Sequence, residues 1–320
     1  ELRLEYSQFL ELAAQEALEL EALRFKPALT RDGTAIQLLV NTGLLADARP
    51  GLSNGAEGIG LYRSEIPFLA RAVYPTEEEQ YDAYRQVLEM YQGKPVTMRL
   101  LDIGGDKALP YHTVNETNPA MGLRGIRFLL EHQGVLKTQL RAMLRASSGI
   151  DNLRLLLPMV SEVKEVIRAK QVLAAVVHEL RQEGVSVKLP YVGVMVEVPA
   201  VVSQLELIAD HVDFLSVGSN DLTSHLLAVD RQNPLVASYY DPLHPAFIDM
   251  LLQIVAKADR LRLPVTVCGE IANSDVGVVL LLSAGVRKLS IHAASVPRIK
   301  RLIRRLDLDD LVAINRQDTT

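Results

Sequence analysis

The stretch Tyr191–Arg231, which reads YVGVMVEVPAVVSQLELIADHVDFLSVGSNDLTSHLLAVDR, decides the fold of this chain. Its first part, Tyr191–Val198, is rich in β-branched residues and predicts a buried strand. A segment of helical length and amphipathic pattern follows at Ala200–Asp210, and Phe214–Gly218 repeats the strand pattern. The stretch therefore predicts a strand, a helix and a second strand parallel to the first.

Each of these two strands ends at a carboxylate, which a fully buried apolar strand would not need. Glu197 lies at the end of the first strand, and Asp221 follows the second. Because a strand-helix-strand crossover returns the chain in the same direction, both strand exits lie on one edge of the sheet. We expect Glu197 and Asp221 to lie close enough to share a cation.

The rest of the chain repeats this alternation of apolar runs and helical segments. The predicted strands are Ile36–Val40, Ile59–Tyr62, Val96–Leu101, Leu153–Val160, Tyr191–Val198, Phe214–Gly218, Val265–Cys268 and Lys288–Ile291. The predicted helices are Leu44–Asn54, Thr76–Tyr91, Gly125–Ala146, Ser161–Glu183, Ala200–Asp210, Pro245–Leu261, Ser274–Ala284 and Val296–Leu306. Eight alternating units predict an α/β fold, the (β/α)8 TIM barrel. An open doubly wound sheet is the alternative, because periodicity does not show closure.

The N-terminal residues have a different pattern. Apolar residues recur at steps of three and four from Leu2 to Leu20, which predicts an amphipathic helix that ends before Lys26 and Pro27. The chain begins at Glu1, inside this helical pattern. We expect residues 1–28 to be a connector helix at the end of a truncated N-terminal part, and residues 29–320 to form the barrel.

Composition excludes several classes of protein. The 34 Lys and Arg residues against 39 Asp and Glu give a net charge of −5, without the basic excess of a nucleic-acid-binding protein. No apolar run approaches the roughly 20 residues that cross a bilayer, so no membrane segment is predicted. The single Cys268 excludes an intramolecular disulfide and fits a cytoplasmic location. The glycines at 55, 58 and 60 lack dinucleotide-binding spacing.

The polar residues at the strand exits predict an active site, because catalytic groups of TIM barrels lie at the carboxyl ends of the strands. Glu197 and Asp221 are candidate Mg²⁺ ligands, since Mg²⁺ is usually bound by one or two carboxylates, substrate oxygens and water. A barrel ion-pair network is the alternative role for these carboxylates. No Cys and His cluster suggests Zn²⁺.

Cationic side chains lie at or near the same exits and predict an anionic ligand. A guanidinium presents a planar set of donors to phosphate or carboxylate and stays charged when it is desolvated. A surface ion pair is the usual role of one isolated arginine, so the prediction depends on their shared position. The candidates are Arg63, Arg99, Arg124 and Arg231, with Lys107 on a glycine-containing loop as a fifth.

Cys268 lies at the exit of the seventh strand, where a thiol can act as a proton donor or a nucleophile. A small buried apolar role is the usual one for a free cysteine. His225 follows Thr223 and Ser224, but we expect it to lie in the loop after strand six rather than to be phosphorylated. His292, after the last strand, is expected either to face the site or to support it.

Eight segments, read in order, closely resemble the phosphoenolpyruvate-binding C-terminal domain of Enzyme I, the phosphoenolpyruvate-protein phosphotransferase. They are AEGIGLYRSEIPFL, RLLDIGGDKALPY, NPAMGLRGIRFLL, LLLPMV, GVMVEVPA, VGSNDLTSHLLAVDR, VCGEIA and SVPRIKRLIRR. The segments LYRSEIPF and YDPLHPA resemble those of the nitrogen-related Enzyme I more than those of the sugar-uptake Enzyme I. The resemblance implies a barrel that binds phosphoenolpyruvate with Mg²⁺. It also implies a homodimer that passes the phosphoryl group to a histidine on a separate N-terminal domain, which then phosphorylates a small phosphocarrier protein.

The resemblance also implies a role for each matching residue. It makes Glu197 and Asp221 the metal ligands and Cys268 the acid that protonates the departing enolate to give pyruvate. The residues that it implies in substrate binding are Arg63, Arg99, Arg124, Asn220 and Arg231.

The chain departs from the family pattern at Ser219, at Ser224 with His225, at Leu123 and around His292. The sequence also contains no Gly-Gly-x-Thr-Ser-His phosphohistidine segment. We therefore expect this chain to bind substrate but not to complete phosphotransfer alone.

Three other functions remain open at this stage. The first is the equivalent barrel of a phosphoenolpyruvate synthase or pyruvate phosphate dikinase, which shares the strand-end chemistry. The second is a metal-dependent carbon-carbon lyase, which needs no cysteine acid. The third is a barrel that only binds its ligand, as a sensor.

Overall fold

The computed structural model describes residues 18–104 and 121–310, together with the single residues Gln15, Lys107, Leu109, Tyr111 and Glu116. Eight parallel strands form a closed barrel in chain order. They are β1 (Gln37–Thr42), β2 (Ile59–Arg63), β3 (Val96–Arg99), β4 (Leu153–Leu157), β5 (Tyr191–Val196), β6 (Phe214–Gly218), β7 (Val265–Cys268) and β8 (Lys288–Ile291). Because β8 pairs with β1, the TIM barrel is confirmed and the open sheet is excluded.

Helices connect the strands on the outside of the barrel. Within the described residues the α-helices include Leu45–Ser53, Ile66–Leu69, Glu77–Met90, Ile126–Glu131, Gln133–Ser147, Val163–Gln182, Pro199–Val202, Leu205–Ile208, Ser219–Leu227, Pro245–Arg260, Asp275–Ser283 and Val296–Ile303. No described helix has both the length and the apolar character needed to cross a membrane.

Two predicted helices and one predicted loop were wrong in detail. The helix predicted at Ala200–Asp210 is two four-residue helices followed by a 3-10 turn, and the one predicted at Gly125–Ala146 is interrupted at His132. The helix Ser219–Leu227 begins directly after β6, where a loop was expected. Asn220 and Asp221 are weak helix formers in a helix interior, but an acidic residue in the first turn is favourable because it faces the positive end of the helix dipole.

Several strands end earlier than their apolar runs, and this places the polar residues at the barrel mouth. The run Val96–Leu101 gives a strand that ends at Arg99, and the run Tyr191–Val198 gives one that ends at Val196. Asp102 and Glu197 therefore lie just past the last paired residues. The chain leaves the sheet where its buried polar groups need partners that a strand ladder does not provide.

The barrel interior is filled by side chains below this mouth. Leu61, Leu156, Met195, Phe214 and Cys268 form a buried cluster separate from the larger core between strands and helices. Position 193 is a glycine because a Cβ there would lie 2.3 Å from the Phe214 ring. The interior is therefore a packed core with a pocket at one end.

The described end of the connector contacts the barrel. Residues 18–23 are helical, and the Nζ atom of buried Lys300 donates hydrogen bonds to the carbonyls of Arg24 (2.6 Å) and Gly55 (3.3 Å). The rest of the predicted connector helix lies outside the described residues. The boundary at residue 28 stays a prediction.

Gln139, a buried residue of the helix Gln133–Ser147, bridges the segments that follow β2 and β3. Its Oε1 accepts the N–H of Leu101 at 2.8 Å, and its Nε2 donates to Ser64 (3.0 Å) and to the Tyr84 hydroxyl (3.2 Å). We expect Gln139→Leu to lower the free energy of unfolding by about 1–3 kcal/mol, because buried polar groups lose their partner. Urea denaturation measures this change.

The matched control is Gln253→Leu, because Gln253 is exposed and its hydrogen bond among the described residues is to Asp249 on its own helix. This variant should change the free energy of unfolding by less than about 0.5 kcal/mol. Equal effects of the two substitutions would contradict the bridging role of Gln139.

Candidate active site

The strand ends surround a cavity of about 190 Å³ at the mouth of the barrel. Eight of the nine residues predicted from the sequence line it: Arg63, Arg99, Lys107, Glu197, Asn220, Asp221, Arg231 and Cys268. The ninth, Arg124, does not line this cavity but contacts Asp221 from a neighbouring one. The barrel therefore brings residues from five strands and their loops together around one small pocket.

Asp102 is the centre of the charged network in this pocket. Its fully buried carboxylate lies 3.3 Å from Arg99, 2.5 Å from Lys107 and 3.0 Å from Arg124. Burial alone would raise the pKa of Asp102, but Arg99, Lys107 and Arg124 hold this pKa well below its usual range. Asp102 therefore stays ionised and holds three cationic side chains, each from a different segment of the chain.

Glu65 is a second buried carboxylate, and the sequence analysis did not single it out. Its Oε1 lies 2.5 Å from Nη2 of Arg99, and both side chains are 3% exposed. Burial disfavours the charge of Arg99, yet Glu65 and Asp102 raise the pKa of Arg99 above its usual value. Glu65 lies two residues after the end of β2, so a search extended past the last strand residue would have found it.

Arg124 is fixed between two carboxylates. Its Nε and Nη2 atoms lie 3.0 and 3.1 Å from the two oxygens of Asp102, and Nη2 lies 2.7 Å from Oδ2 of Asp221. Burial would raise the pKa of Asp221, but Arg124 and other cations lower it below the usual value. Asp221 is therefore ionised and paired with a buried cation.

Glu197 differs from Asp221 in having an oxygen without a partner. Its Oε1 accepts the N–H of Met159 at 2.7 Å, whereas the buried Oε2 has no hydrogen bond within the described part of the chain. Burial, with the nearby charges of Asp221 and Asp102, raises the pKa of Glu197 to about 7. Gly218 keeps space open here, because a Cβ would lie 2.9 Å from Oε2.

The backbone around Glu197 is held in an unusual conformation. Met159, whose N–H binds the carboxylate, has φ 55°, a left-handed conformation that few residues other than glycine adopt. Nδ1 of His225 lies 2.6 Å from the carbonyl oxygen of Glu197. His225 lies in the helix Ser219–Leu227, so its predicted loop position was wrong, and it contacts the main chain of Glu197.

The carboxylates of Glu197 and Asp221 are suitable ligands for a divalent cation. An unpaired buried carboxylate oxygen costs free energy that a cation would recover, and hard oxygen donors suit Mg²⁺. No group of three or more His, Cys, Asp or Glu side chains suited to a metal occurs among the described residues. A cation here would therefore also need oxygens from substrate and water.

The outer part of the pocket is more exposed. The Arg63 guanidinium has no ion-pair partner in the described ranges and is exposed at the end of β2. Arg231 lies 3.9 Å from Asp221 and 3.7 Å from Glu270, and Oδ1 of Asn220 accepts the Glu270 N–H. Arg63 and Arg231 are therefore held less firmly than Arg99 and are available to a ligand.

Cys268 lies deep in the pocket at the end of β7 and is only 2% exposed. Its thiol donates to the carbonyl of Val217 at 3.3 Å. Burial and the charge of Glu197 raise the pKa of this thiol to about 12, so it is protonated at neutral pH. His292 does not line the pocket and is exposed, with its backbone N–H bonded to Asn273.

We expect Asp102→Asn to lower the free energy of unfolding by about 3–5 kcal/mol, because removing one partner of a buried ion cluster leaves uncompensated charge. Urea denaturation at pH 7 measures this change. The control Asp151→Asn removes the partner of Lys188 in an exposed ion pair. This control should cost at most about 1 kcal/mol.

The effect of Asp102→Asn should also depend on pH. A carboxyl whose pKa is lowered on folding stabilises the fold above its unfolded pKa of about 4 and loses this contribution as pH falls below that value. The difference in unfolding free energy between the wild type and Asp102→Asn should therefore shrink as pH falls from 5 to 3. A constant difference over this range would contradict the lowered pKa of Asp102.

Comparison with known proteins agrees with this geometry. Residues 17–308 match the family described as "PEP-utilising enzyme, PEP-binding domain". The chain is 42% identical over 292 residues to a phosphoenolpyruvate-dependent phosphotransferase system protein of Salmonella typhimurium, which covers 91% of this chain and 39% of that protein. It is 41% identical over 299 residues to a phosphoenolpyruvate-protein phosphotransferase of Haemophilus influenzae, which covers 93% and 52%.

A third relative is a multiphosphoryl transfer protein of Shigella flexneri, 39% identical over 292 residues, or 91% of this chain and 35% of that protein. The chain thus spans about half the length of these relatives or less. The resemblance to phosphoenolpyruvate-protein phosphotransferases that the motifs indicated is confirmed. With a family match over nearly the whole barrel, this chain belongs to the PEP-utilising enzymes, through their PEP-binding domain.

Proposed function

We propose that this barrel binds phosphoenolpyruvate with Mg²⁺ and donates its phosphoryl group to a histidine on a separate N-terminal domain, releasing pyruvate, as in Enzyme I. The observation that supports this most directly is Oε2 of Glu197, which has no hydrogen bond within the described residues and shares the pocket with cationic side chains and a protonated thiol. The pocket therefore combines a candidate cation ligand, donors for a dense anion, and an acid.

The guanidinium groups bind the substrate anion. Arg99 is fixed by Glu65 and Asp102, so it presents its charge without the cost of reorganising when the ligand binds. Arg63 and Arg231, with Asn220, bind phosphate and carboxylate oxygens from the outer part of the pocket. A bound Mg²⁺, held by Glu197 and Asp221, would neutralise charge on the phosphoryl oxygens.

Arg124 and Lys107 act close to the metal ligands. In the structure Arg124 pairs with Asp221 at 2.7 Å, so a cation that binds Asp221 competes with this guanidinium. Lys107, 3.8 Å from Glu65 and bonded to Asp102, adds a further positive charge at the mouth. We propose that Arg124 contacts substrate when the carboxylate of Asp221 turns to the cation.

Cys268 supplies the proton that completes the reaction. When the bond between phosphorus and the enol oxygen breaks, the phosphoryl group passes to an imidazole nitrogen and an enolate remains. The Sγ–H bond then breaks, and the proton adds to the methylene carbon to give pyruvate. A thiol with a pKa of about 12 keeps its proton until this strongly basic carbon forms.

The same proposal includes the oligomeric state, the protein partners and the cellular location. We propose a homodimer, a small phosphocarrier protein downstream of the histidine domain, and a cytoplasmic location. Assignment to the nitrogen-related branch of Enzyme I depends on the sequences of two short segments and stays a prediction. Light scattering of the purified chain measures the oligomeric state, and a monomer at micromolar concentration would contradict the dimer.

The alternative functions predict other results. A barrel of a phosphoenolpyruvate synthase or pyruvate phosphate dikinase would also exchange phosphoryl groups with a histidine, but with a nucleotide-binding domain as the next partner. A carbon-carbon lyase would not need Cys268. A sensor barrel would bind phosphoenolpyruvate and transfer nothing.

We expect the chain, mixed with Mg²⁺, phosphoenolpyruvate and the histidine domain of a related phosphotransferase, to form phosphohistidine and pyruvate. Glu197→Gln and Asp221→Asn should each reduce the rate at least about 100-fold, because each removes a charged ligand of the cation that stabilises the transition state. Phosphohistidine is measured by autoradiography and pyruvate by a coupled assay.

The matched control is Glu206→Gln, since Glu206 forms exposed ion pairs with Lys257 and Arg260. This variant should transfer phosphate at the wild-type rate. Undiminished transfer by both Glu197→Gln and Asp221→Asn would refute the metal assignment.

Cys268→Ala should suppress pyruvate formation about 100-fold or more while leaving the affinity for phosphoenolpyruvate within about threefold, because the thiol acts only after the phosphoryl group leaves. Calorimetric titration measures the affinity, and pyruvate release measures turnover. Normal pyruvate formation by this variant would remove the acid role and favour the lyase or another proton source.

A further inference from the structure

Two buried serines lie beside Cys268, and the reaction proposed above gives them no role. Ser216 in β6 is 1% exposed and Ser290 in β8 is 0% exposed. Neither hydroxyl oxygen has a hydrogen-bond partner in the part of the chain that the structure describes. A buried hydroxyl without a partner is unfavourable, so two of them near one thiol need an explanation.

The strand register brings both serines to the thiol. β7 lies between β6 and β8, and Cys268 pairs directly with Ser290. On the other side Cys268 pairs with Gly218, and Ser216 precedes this glycine by two residues, so both point to the same face of β6. This face is the barrel interior, because Phe214 packs there with Cys268.

Contacts with other residues confirm these directions. A Cβ at Gly60 in β2 would lie 2.6 Å from the hydroxyl oxygen of Ser290, so Ser290 points across the interior. The pKa of the Cys268 thiol is raised by burial and Glu197, and the Ser216 hydroxyl acts against this increase, as a hydrogen-bond donor to sulfur would. Both serines thus lie on the interior face that carries the thiol, Ser290 as its register partner on β8 and Ser216 on β6.

A neutral thiol does not use these donors well. It is a weak acceptor, and its own proton is donated to the Val217 carbonyl. A thiolate is a strong acceptor, since hydrogen bonds to a charged atom are about twice as strong as those between neutral groups. The two hydroxyls therefore lack a strong acceptor while the thiol is neutral, and a thiolate would supply one.

We propose that Ser216 and Ser290 are positioning residues that stabilise the Cys268 thiolate formed when the thiol gives its proton to the substrate. The inference rests on the proposed function of Cys268 as the acid. The Sγ–H bond breaks, the proton goes to the methylene carbon, and the electron pair stays on sulfur. The serines donate hydrogen bonds without losing protons, and the thiolate regains a proton from water after pyruvate leaves.

The charges facing this sulfur agree with a need for extra donors. Glu197 and Asp221 disfavour the thiolate, and Arg99 favours it. The guanidinium of Arg99 is already paired with Glu65 and Asp102. Neutral hydroxyl donors assist the thiolate without adding a charge that would compete for the substrate anion.

The test uses the fact that Cys268 is the single cysteine of the chain. A small neutral alkylating reagent, iodoacetamide, reacts with the thiolate, so its rate at fixed pH follows the thiolate fraction. Ser216→Ala and Ser290→Ala should each slow alkylation about tenfold at pH 8.5, as measured by mass spectrometry, since each removes a hydrogen bond to a charged sulfur. A purely structural role predicts the opposite, because a loosened interior exposes the thiol and speeds alkylation.

Turnover with the histidine domain gives the second measurement. The two alanine variants should release pyruvate about tenfold more slowly with unchanged affinity for phosphoenolpyruvate, and Ser216→Thr, which keeps the hydroxyl, should recover most of the rate. The control Ser283→Ala, a serine that bonds Val279 on an outer helix, should change neither measurement.

The outcomes separate this inference from the proposed function. If Cys268→Ala stops pyruvate formation but the serine variants alkylate and turn over like the wild type, the serine role is overturned and the acid role stands. If Cys268→Ala forms pyruvate normally, the acid role fails. If alkylation of the wild type is too slow to follow, turnover and its recovery by Ser216→Thr decide the question.

Discussion

The buried carboxylate of Asp102 is the interaction on which the rest of the site depends. It accepts contacts from Arg99, Lys107 and Arg124, which come from the end of β3 and from the loop segments that follow it. Without this negative charge, the same guanidinium groups would repel one another in a dry interior. With it, they are fixed and charged before any ligand arrives, which is the electrostatic preorganisation that phosphoryl transfer requires.

The two candidate metal ligands show how the surroundings of a carboxyl group change its pKa. Asp221 has a cationic partner in Arg124, and its pKa is lowered. Glu197 is fully buried, keeps one oxygen unpaired, and has its pKa raised to about 7. The pair is therefore incomplete, because Asp221 is already neutralised by Arg124 and Oε2 of Glu197 has no hydrogen bond among the described residues. A divalent cation would complete both.

Several features of the site could not have been read from periodicity. Glu65 lies in a loop, where no pattern of apolar residues separates a buried carboxylate from an exposed one. The helix Ser219–Leu227 begins with Ser219, Asn220 and Asp221, which individually favour turns and caps, so their residue types did not distinguish a loop from the first turn of a helix. Arg124 resembles the other predicted arginines in sequence context, but it lies behind Asp221 rather than in the main pocket, because Asp102 and Asp221 hold it there.

The sequence by itself determined an α/β fold of eight alternating strands and helices, which a parallel sheet covered by helices requires, and the pairing of β8 with β1 then decided for the closed barrel over the open sheet. It also predicted most of the charged residues that lie at the mouth, because the chain direction of parallel strands places their exits on one edge. Only the tertiary structure decided the pairing of these residues, the burial of Glu65 and Asp102, and the position of Ser216 and Ser290 beside Cys268. Those features depend on distances between strands far apart in the chain, which register and closure set and local pattern does not contain.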